Sequence, residues 1–213
     1  MNQRQYSTTD QFLSILDTGL RSFAGENHAA RQNPGKQATD KPLSTSEQQL
    51  SGRLMRINHA GEVAAQGLYQ GQALTAALPE VREQMQQAAQ EESDHLAWCA
   101  HRTRELDTHT SLLDPLWYTG SVIIGATAGY IGDKWSLGFV AETERQVVNH
   151  LNEHLGRLPE NDDKSRAILE QMKIDEQHHA TLATDAGGAE LPQPVRYLMK
   201  LASKIMTKSA FWL

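Results

Sequence analysis

Apolar side chains recur along this chain at intervals of three and four residues, the spacing that places them on one face of an α-helix. Within residues 10–24 this face comprises Phe12, Leu16, Leu20 and Phe23. Residues 25–43 are polar and almost free of large apolar groups, which predicts a flexible linker. No run of alternating apolar and β-branched residues is bounded by hairpin turns, so the pattern predicts an all-α protein.

Prolines and capping residues mark where the longer helices begin and end. Ser44 and Glu47 form a capping box that opens a helix ending before Pro79. The remaining predicted helices cover about 80–106, 115–131, 133–158, 162–185 and the stretch from Pro194 to the C-terminus. We therefore expect three regions: an N-terminal amphipathic segment (1–24), a flexible linker (25–43) and one helical domain (44–213).

Composition narrows the class of protein. The 213 residues suit one domain, and a formal net charge of −6 argues against a nucleic-acid partner. The single cysteine, Cys99, excludes a disulfide framework or a multi-thiolate zinc site and fits a reducing compartment. The N-terminus shows no apolar run behind a basic start, so we expect no cleaved secretory signal.

Glutamate and histidine recur in a pattern that appears twice. Each half of the chain contains a glutamate followed 30 to 32 residues later by E-x-x-H: Glu62 with Glu92 and His95, then Glu144 with Glu176 and His179. Three residues are about one helical turn, so each E-x-x-H can direct both side chains to one point. One such pair is commonplace on a helix surface, but two pairs with matching upstream glutamates indicate a shared metal site.

The donor types indicate which metal this site would bind. Four carboxylates and two imidazoles, with no thiolate, suit iron or manganese better than structural zinc. Four carboxylate charges also balance two divalent ions in a buried site. This is the ligand set of ferritin-like di-iron and di-manganese proteins, in which it projects into a four-helix bundle.

Three neighbouring acidic residues are alternatives to the chosen glutamates. Glu91 could reach His95 at i+4, and Asp175 could pair with His178 at i+3. Only E-x-x-H occurs in both halves in register, which favours Glu92 and Glu176 and leaves Glu91 beside the site. Glu142 competes with Glu144 but points to a different helix face.

Four segments of the chain resemble the demethoxyubiquinone hydroxylase family of ubiquinone biosynthesis. They are LMRINHAGEVAAQGLYQGQ, EESDHLAW, AETERQVVNHLNEHL and KIDEQHHA, and the resemblance covers about residues 50–213. It implies a ferritin-like four-helix core with metal ligation by Glu62, Glu92, His95, Glu144, Glu176 and His179. The family's spacing favours Glu144 over Glu142, and it suggests that His150 hydrogen-bonds a ligand carboxylate from outside the metal's own ligands.

The resemblance also implies a reaction. Two iron ions per subunit would use dioxygen to hydroxylate the ring of a polyprenyl demethoxybenzoquinol, with NADH as a candidate reductant. Further copies of the chain and other ubiquinone-biosynthesis proteins are candidate partners. The competing hypothesis from the same ligands is a ferritin-like protein that oxidises and stores iron.

Two segments bear on the substrate's location. Residues 115–132 contain eighteen residues without a charge, a borderline length for a membrane span. Candidate ligands lie on both sides of this segment and must meet, so we predict an interfacial or core helix with close packing at Gly125 and Gly129.

The last helix carries Lys200, Lys204 and Lys208 along one stripe and Leu198, Leu201, Ile205 and Trp212 along another. We expect peripheral attachment to the cytoplasmic face of the inner membrane through these additional helices.

Overall fold

The computed structural model describes residues 8–24, 28–39 and 41–213, and within these ranges it contains helices and no strand. The α-helices are α1 (Thr8–Ala24), α2 (Thr45–Thr75), α3 (Pro79–Glu105), α4 (Asp114–Ile131), α5 (Asp133–Arg157), α6 (Asp163–Asp185) and α7 (Gln193–Ala210). A short 3-10 helix covers Pro34–Gln37. The predicted all-α class is confirmed, and the helix boundaries agree with those predicted to within a few residues.

Helices α2, α3, α5 and α6 form a four-helix bundle with two apolar clusters in its core. The first cluster contains Tyr69, Val81, Met85, Leu137, Val140 and Ala183 among others. The second contains Leu54, Met55, Trp98, Leu151, Leu158 and Met172 among others. From the order of these residues along the chain, α2 and α6 run from the second cluster to the first, and α3 and α5 run the opposite way.

Helix α4 provides the long crossover that this topology requires. Because α3 and α5 point the same way, the chain must return along the bundle between them, as it does once in ferritin-like folds. Helix α4 returns along α2, where Cβ atoms at Gly71 and Gly125 would collide with the backbone oxygens of Val122 and Leu68. The close helix packing predicted for Gly125 is therefore present.

Local sequence signals explain how the bundle helices start. The predicted capping box at α2 is formed: Ser44 Oγ accepts the Glu47 N–H, and Glu47 Oε2 accepts the Ser44 N–H at 2.8 Å. Helix α6 starts in the same manner, since the Asp162 carboxylate accepts the Ser165 N–H at 3.0 Å. Pro79 and Pro115 stand at the first helical turns of α3 and α4, where no N–H is needed.

Helix α1 is amphipathic, but the residues that attach it to the bundle differ from those expected. Phe23 packs edge-to-face on Tyr118, with ring centroids 5.6 Å apart, and Ile15 packs in the same cluster. The Tyr118 hydroxyl donates to the Ile15 carbonyl at 2.8 Å. Leu16 and Leu20 are exposed instead. The Phe12 side chain, also part of the predicted face, lies outside the residues whose side chains are described.

The polar segment between α1 and α2 makes more contacts than a flexible linker would. Asn33 and Gly35 are buried, and the Asn33 side chain accepts the Gly35 N–H at 2.8 Å. The 3-10 helix packs on α6, where a Cβ at Gly35 would lie 3.2 Å from the Lys164 oxygen. The polar composition of this segment did not indicate these contacts, because they are made by backbone groups and a small residue and not by apolar side chains. The domain boundary at residue 44 stays a prediction.

Helices α4 and α7 keep large apolar side chains on their outer surfaces. In α4 these are Leu116, Ile123, Ile124, Tyr130 and Ile131, and in α7 they are Val195, Leu198, Leu201 and Ile205. The end of α7 meets the start of α4, where Phe211 and Trp117 pack on Ile57 and Ala60. Among the described helices, none combines the length and apolar character that a bilayer crossing needs.

Candidate metal centre

A layer of buried carboxylates and imidazoles separates the two apolar clusters of the bundle. On each of the four core helices, the candidate ligands lie between residues of the two clusters. Glu62, Glu92, His95 and Glu176 are all buried and each offers a ligand atom within 4.8 Å of the others. Three separate helices contribute to this group, which is the convergence that the duplicated motif predicts.

His179 and Glu144 complete the layer on its other side. His179 Nδ1 lies 3.2 Å from Glu176 Oε2 and 3.4 Å from Glu92 Oε1. Glu144 is 2% exposed, accepts a short hydrogen bond from the Tyr69 hydroxyl, and is near enough to His179 for their charges to interact. The structure thus brings together all six residues that the sequence singled out.

The six side chains form two similar halves around a shared pair of carboxylates. His95 Nδ1 lies 3.5 Å from Glu62 Oε2, 3.2 Å from Glu92 Oε2 and 3.0 Å from Glu176 Oε1. Glu92 and Glu176 therefore face both histidines. We call Glu62 with His95 the His95 half, and Glu144 with His179 the His179 half.

Each histidine is held from behind by a carboxylate on the opposite helix. His95 Nε2 donates to Asp175 Oδ2 at 2.9 Å, and His179 Nε2 donates to Glu91 Oε2 at 2.6 Å. These bonds keep a proton on Nε2 and direct Nδ1 at the carboxylate layer, where it can bind a metal once it has lost its own proton. Asp175, which supports His95, immediately precedes Glu176, and Glu91, which supports His179, immediately precedes Glu92.

Sequence reasoning missed this crossed arrangement, although a signal for it was present. The sequence presents Glu91 and Asp175 as alternatives to the ligand glutamates and predicts that Glu91 lies beside the site. An acidic residue precedes E-x-x-H in both copies, giving E-E-x-x-H and D-E-x-x-H. Its partner histidine lies 80 or 88 residues away, so the pairing itself becomes visible only in the fold.

The donor atoms fit a metal centre because nitrogen and oxygen lone pairs face one another, and too few hydrogen atoms lie between them to pair them all. A neutral histidine that donates from Nε2 has no proton on Nδ1, and even a protonated ring brings one Nδ1 hydrogen to the three carboxylate oxygens that face His95 Nδ1. Among the described residues, the buried Glu92 Oε1 and Glu176 Oε1 make no well-aligned hydrogen bond, although His179 Nδ1 and His95 Nδ1 lie 3.4 and 3.0 Å from them. Buried carboxylates without donors are costly, and a cation between them satisfies oxygen and nitrogen lone pairs together.

In the metal-free protein, bound protons take the place of a cation in neutralising part of the carboxylate charge. Burial, and then the Glu92 carboxylate, raise the pKa of Glu62 well above its usual range. Burial acts on Glu92 in the same direction, but hydrogen bonding with Glu62 and the charge of His95 hold the Glu92 pKa well below its usual range. Burial disfavours charge on His179, yet hydrogen bonds with Glu176 and Glu92 raise its pKa to about 12.

The other candidates lie outside this layer. Glu142 is half-buried and accepts a hydrogen bond from Gln146 Nε2 at 2.8 Å. His150 packs on His154, with ring centroids 3.9 Å apart, and its buried Nε2 has no hydrogen-bond partner among the residues that the structure describes. Burial lowers the pKa of His150, which favours the neutral ring.

The geometry agrees with what known proteins show. A family model described as "Ubiquinone biosynthesis protein COQ7" matches residues 49–210. The chain belongs to this family. It is 55% identical over 214 residues to the 3-demethoxyubiquinol 3-hydroxylase of Nitrosococcus oceani, covering 100% of each chain. It is 54% identical over 213 residues to the enzyme of the same name from Stutzerimonas stutzeri, covering 99% of this chain and 98% of that one.

A solved structure supports the fold of this COQ7-family chain. The dodecameric thioferritin of Bacteroides fragilis, a bacterioferritin-related protein, aligns with a TM-score of 0.52 and 20% sequence identity. The match covers 76% of this chain and 90% of that chain. At this identity the likeness concerns the fold alone, and it confirms the predicted ferritin-like class.

Proposed function

We propose that this protein hydroxylates the ring of a 3-demethoxyubiquinol with dioxygen, as a monooxygenase of ubiquinone biosynthesis. The observation that carries the proposal is the buried layer of four glutamates and two histidines in a chain of the COQ7 family. Full-length identity to relatives named 3-demethoxyubiquinol 3-hydroxylase supports the substrate class.

Six residues would hold two iron ions in this proposal. Glu62 and His95 would serve one ion, Glu144 and His179 the other, and Glu92 and Glu176 both, as their positions between the histidines suggest. Bound iron would supply the one-electron chemistry that activates dioxygen. One oxygen atom would enter the ring and the other would leave as water, with two electrons from a reductant for which NADH is the candidate.

The protein itself orients these ligands and excludes water from them. Asp175 and Glu91 fix the two imidazoles with Nδ1 inward, and the Tyr69 hydroxyl holds Glu144. Apolar clusters above and below the layer exclude water, which strengthens electrostatic interactions inside it.

Isotope labelling tests the reaction. Metal-free protein is reconstituted anaerobically with two equivalents of Fe(II), then given a short-tailed 3-demethoxyubiquinol, a reductant and ¹⁸O₂. The expected product carries one ¹⁸O atom on the ring, and protein without iron forms none. A mineral iron core without hydroxylated product would instead favour iron oxidation and storage.

A second part of the proposal is peripheral attachment to the cytoplasmic face of the inner membrane. A lipid-dissolved substrate would require it, and the exposed apolar side chains of α4 and α7 support it. The lysine stripe of α7 (Lys200, Lys204 and Lys208) lines a cleft of about 830 Å³ between α5 and α7. Lysines near anionic lipid headgroups contribute about 1 kcal/mol each.

Two triple variants test this attachment by vesicle flotation. Replacing Leu198, Leu201 and Ile205 with serine should abolish binding to neutral and anionic vesicles alike. Replacing the three lysines with glutamate should weaken binding to anionic vesicles only. Both variants should retain their metal, because α7 contributes no ligand. Unchanged flotation of both would contradict attachment through α7.

A further inference from the structure

The segment before α2 reaches the metal centre through Arg31. Its guanidinium donates from Nε to Asp94 Oδ2 at 2.6 Å and from Nη1 to Asp175 Oδ2 at 2.8 Å. Asp94 lies on α3 and Asp175 on α6, so this single side chain joins two of the ligand-bearing helices. Both carboxylates are well shielded, with side chains 4% and 13% exposed.

Backbone contacts fix the segment from which Arg31 projects. Asp94 Oδ1 accepts the Ala30 N–H at 2.6 Å and lies 3.4 Å from the Arg31 nitrogen, while its Oδ2 receives the guanidinium. The Asp94 carboxylate therefore binds both the main chain and the side chain of one residue pair. An arginine anchored in this way loses little further conformational freedom when it contacts a second carboxylate.

Arg31 Nη2 approaches His95 Nε2 directly at 3.4 Å, and two indirect routes also lead from Arg31 to the His95 imidazole. The first runs through Asp175 Oδ2, which accepts both Arg31 Nη1–H and His95 Nε2–H. The second runs through Trp98, which is covered by the guanidinium at 5.0 Å and packs on His95 with ring centroids 5.4 Å apart. Movement of Arg31 would thus release both supports of one ligand histidine.

Among the described residues, no arginine or lysine forms an ion pair behind the other ligand histidine, and the charge of Arg31 acts on Glu91 only from beyond ion-pair distance. Glu91, which holds His179, has a side chain 33% exposed and receives Gln87 Nε2 at 3.1 Å. Among the described ion pairs, Glu91 contacts His179 and no arginine or lysine. Arg31 also lies outside residues 49–210, the part of the chain that the family model matches.

We propose that Arg31 is a positioning residue for the His95 half, through which the N-terminal segment sets the affinity of one of the two metal ions. This inference rests on the proposed function, because it requires a two-metal centre. The polar composition of residues 25–43 predicts that the segment is dispensable for metal binding. The contacts of Arg31 predict the opposite.

The experiment measures stepwise metal binding by the full-length protein, with Co(II) as an oxygen-stable probe whose visible absorption reports each bound ion. The variants are Arg31→Gln and Arg31→Lys. Arg21→Gln is the matched control, because Arg21 forms a single exposed ion pair with Asp17 on α1. Thermal unfolding of each metal-free variant is measured alongside.

Wild type should bind two ions. In Arg31→Gln one of the two affinities should fall about tenfold, the low end for loss of a partner outside the ligand set, while the other is unchanged. Arg31→Lys should recover part of the loss, and Arg21→Gln should show none. The metal-free unfolding temperature should be nearly the same in all four proteins.

A double-mutant cycle tests the route. If Arg31 acts through Asp175, adding Arg31→Gln to the Asp175→Asn variant should change the metal affinity by less than half as much as Arg31→Gln changes it in wild type. Added to Glu91→Gln, it should keep its full effect.

Two results would overturn the inference. One is an Arg31→Gln protein with both affinities unchanged, and the other is equal weakening of both ions together with a lower unfolding temperature, which would mark a purely structural contact. Failure of the wild-type protein to bind two ions would instead overturn the proposed metal centre, and this appears in the wild-type titration alone.

Discussion

The two halves of the candidate metal centre have nearly the same candidate ligands but different surroundings. In each half an imidazole donates from Nε2 to a carboxylate on the opposite helix, at 2.9 Å for His95 and 2.6 Å for His179. Behind His95 the carboxylate is shielded and bonded to Arg31 and Gln171. Behind His179 it is one-third exposed. A repeated sequence motif therefore repeats the ligands but does not determine what supports them.

A second contrast lies in the aromatic neighbours. Trp98 packs on the His95 ring, whereas Tyr69 lies edge-on to the His179 ring, with centroids 6.5 Å apart, and donates its hydroxyl to Glu144. The His95 half is thus supported by Trp98 in the bundle core and by Arg31 from outside the four helices, and the His179 half by Tyr69 of α2 and Glu91 of α3. We expect perturbations of the outer residues to affect the halves unequally.

The largest effect should come from the carboxylates that the halves share. Glu92→Gln or Glu176→Gln removes a charge that faces both histidines, so we expect loss of both ions and a fall in turnover beyond the ~100-fold typical of losing an outer partner. Glu62→Gln and Glu144→Gln should each weaken mainly one ion. Metal analysis after gel filtration and the hydroxylation assay measure these effects.

Glu142→Gln is the matched control for this series, since Glu142 bonds Gln146 outside the layer. It should behave as wild type. Loss of metal in Glu142→Gln together with retention in Glu144→Gln would show that the ligand on α5 has been assigned to the wrong residue.

Acid should weaken both halves. Although burial opposes charge, the Glu92 carboxylate and hydrogen bonds to neighbouring carboxylates raise the pKa of His95, and that of His179 rises to about 12. Both rings therefore hold protons near neutral pH, and each must release one when a metal binds. We expect affinity to fall about tenfold per pH unit for each displaced proton. Co(II) titrations at two pH values in buffers with a pH indicator measure this; affinity independent of pH would contradict it.

The two supporting acids separate the halves directly. Asp175→Asn should weaken the ion served by His95, and Glu91→Gln the ion served by His179, each by about 10- to 100-fold. The first should be the larger effect, because the shielded Asp175 is less easily replaced by water. Stepwise titration of both variants measures the difference. Identical losses in both would mean that the surroundings of the two acids do not matter.

The smallest effects should come from the amides behind those acids. Gln171 Nε2 donates to Asp175 at 2.9 Å and Gln87 Nε2 donates to Glu91 at 3.1 Å. Each amide donates to an ionised carboxylate, but the carboxylates are partly exposed and water can replace the lost donor, so Gln171→Leu and Gln87→Leu should each change one affinity by only a few-fold. A loss as large as that of Asp175→Asn would be inconsistent with this ranking.

Sequence predicted the centre better than its surroundings, for a physical reason. The ligand residues share helical spacing and burial, so Glu62 and both E-x-x-H pairs could be identified from periodicity and repetition. The hydrogen bonds of Asp175 and Glu91 join residues that are 80 and 88 positions apart, and no local spacing encodes them. Polar composition likewise could not show that Arg31 binds one buried and one partly buried carboxylate.

The same distinction applies to the fold. Capping at Ser44 and prolines at helix starts gave the boundaries, because these signals act within one helical turn. The exposure of Leu16 and Leu20 could not be predicted, since the position of α1 depends on how Gly19 lies against the Tyr118 ring. Amphipathic spacing identifies a helix but not which side of it the protein covers.

The crossover helix α4 has a consequence for biosynthesis. Helices α2 and α3 are consecutive and can pair as soon as they are made, while α5 and α6, which carry half of the ligands, follow only after α4 has been synthesised. The nascent chain therefore contains Glu62, Glu92 and His95 before their partners on α5 and α6 exist, and the carboxylate layer is completed only after the crossover has been made.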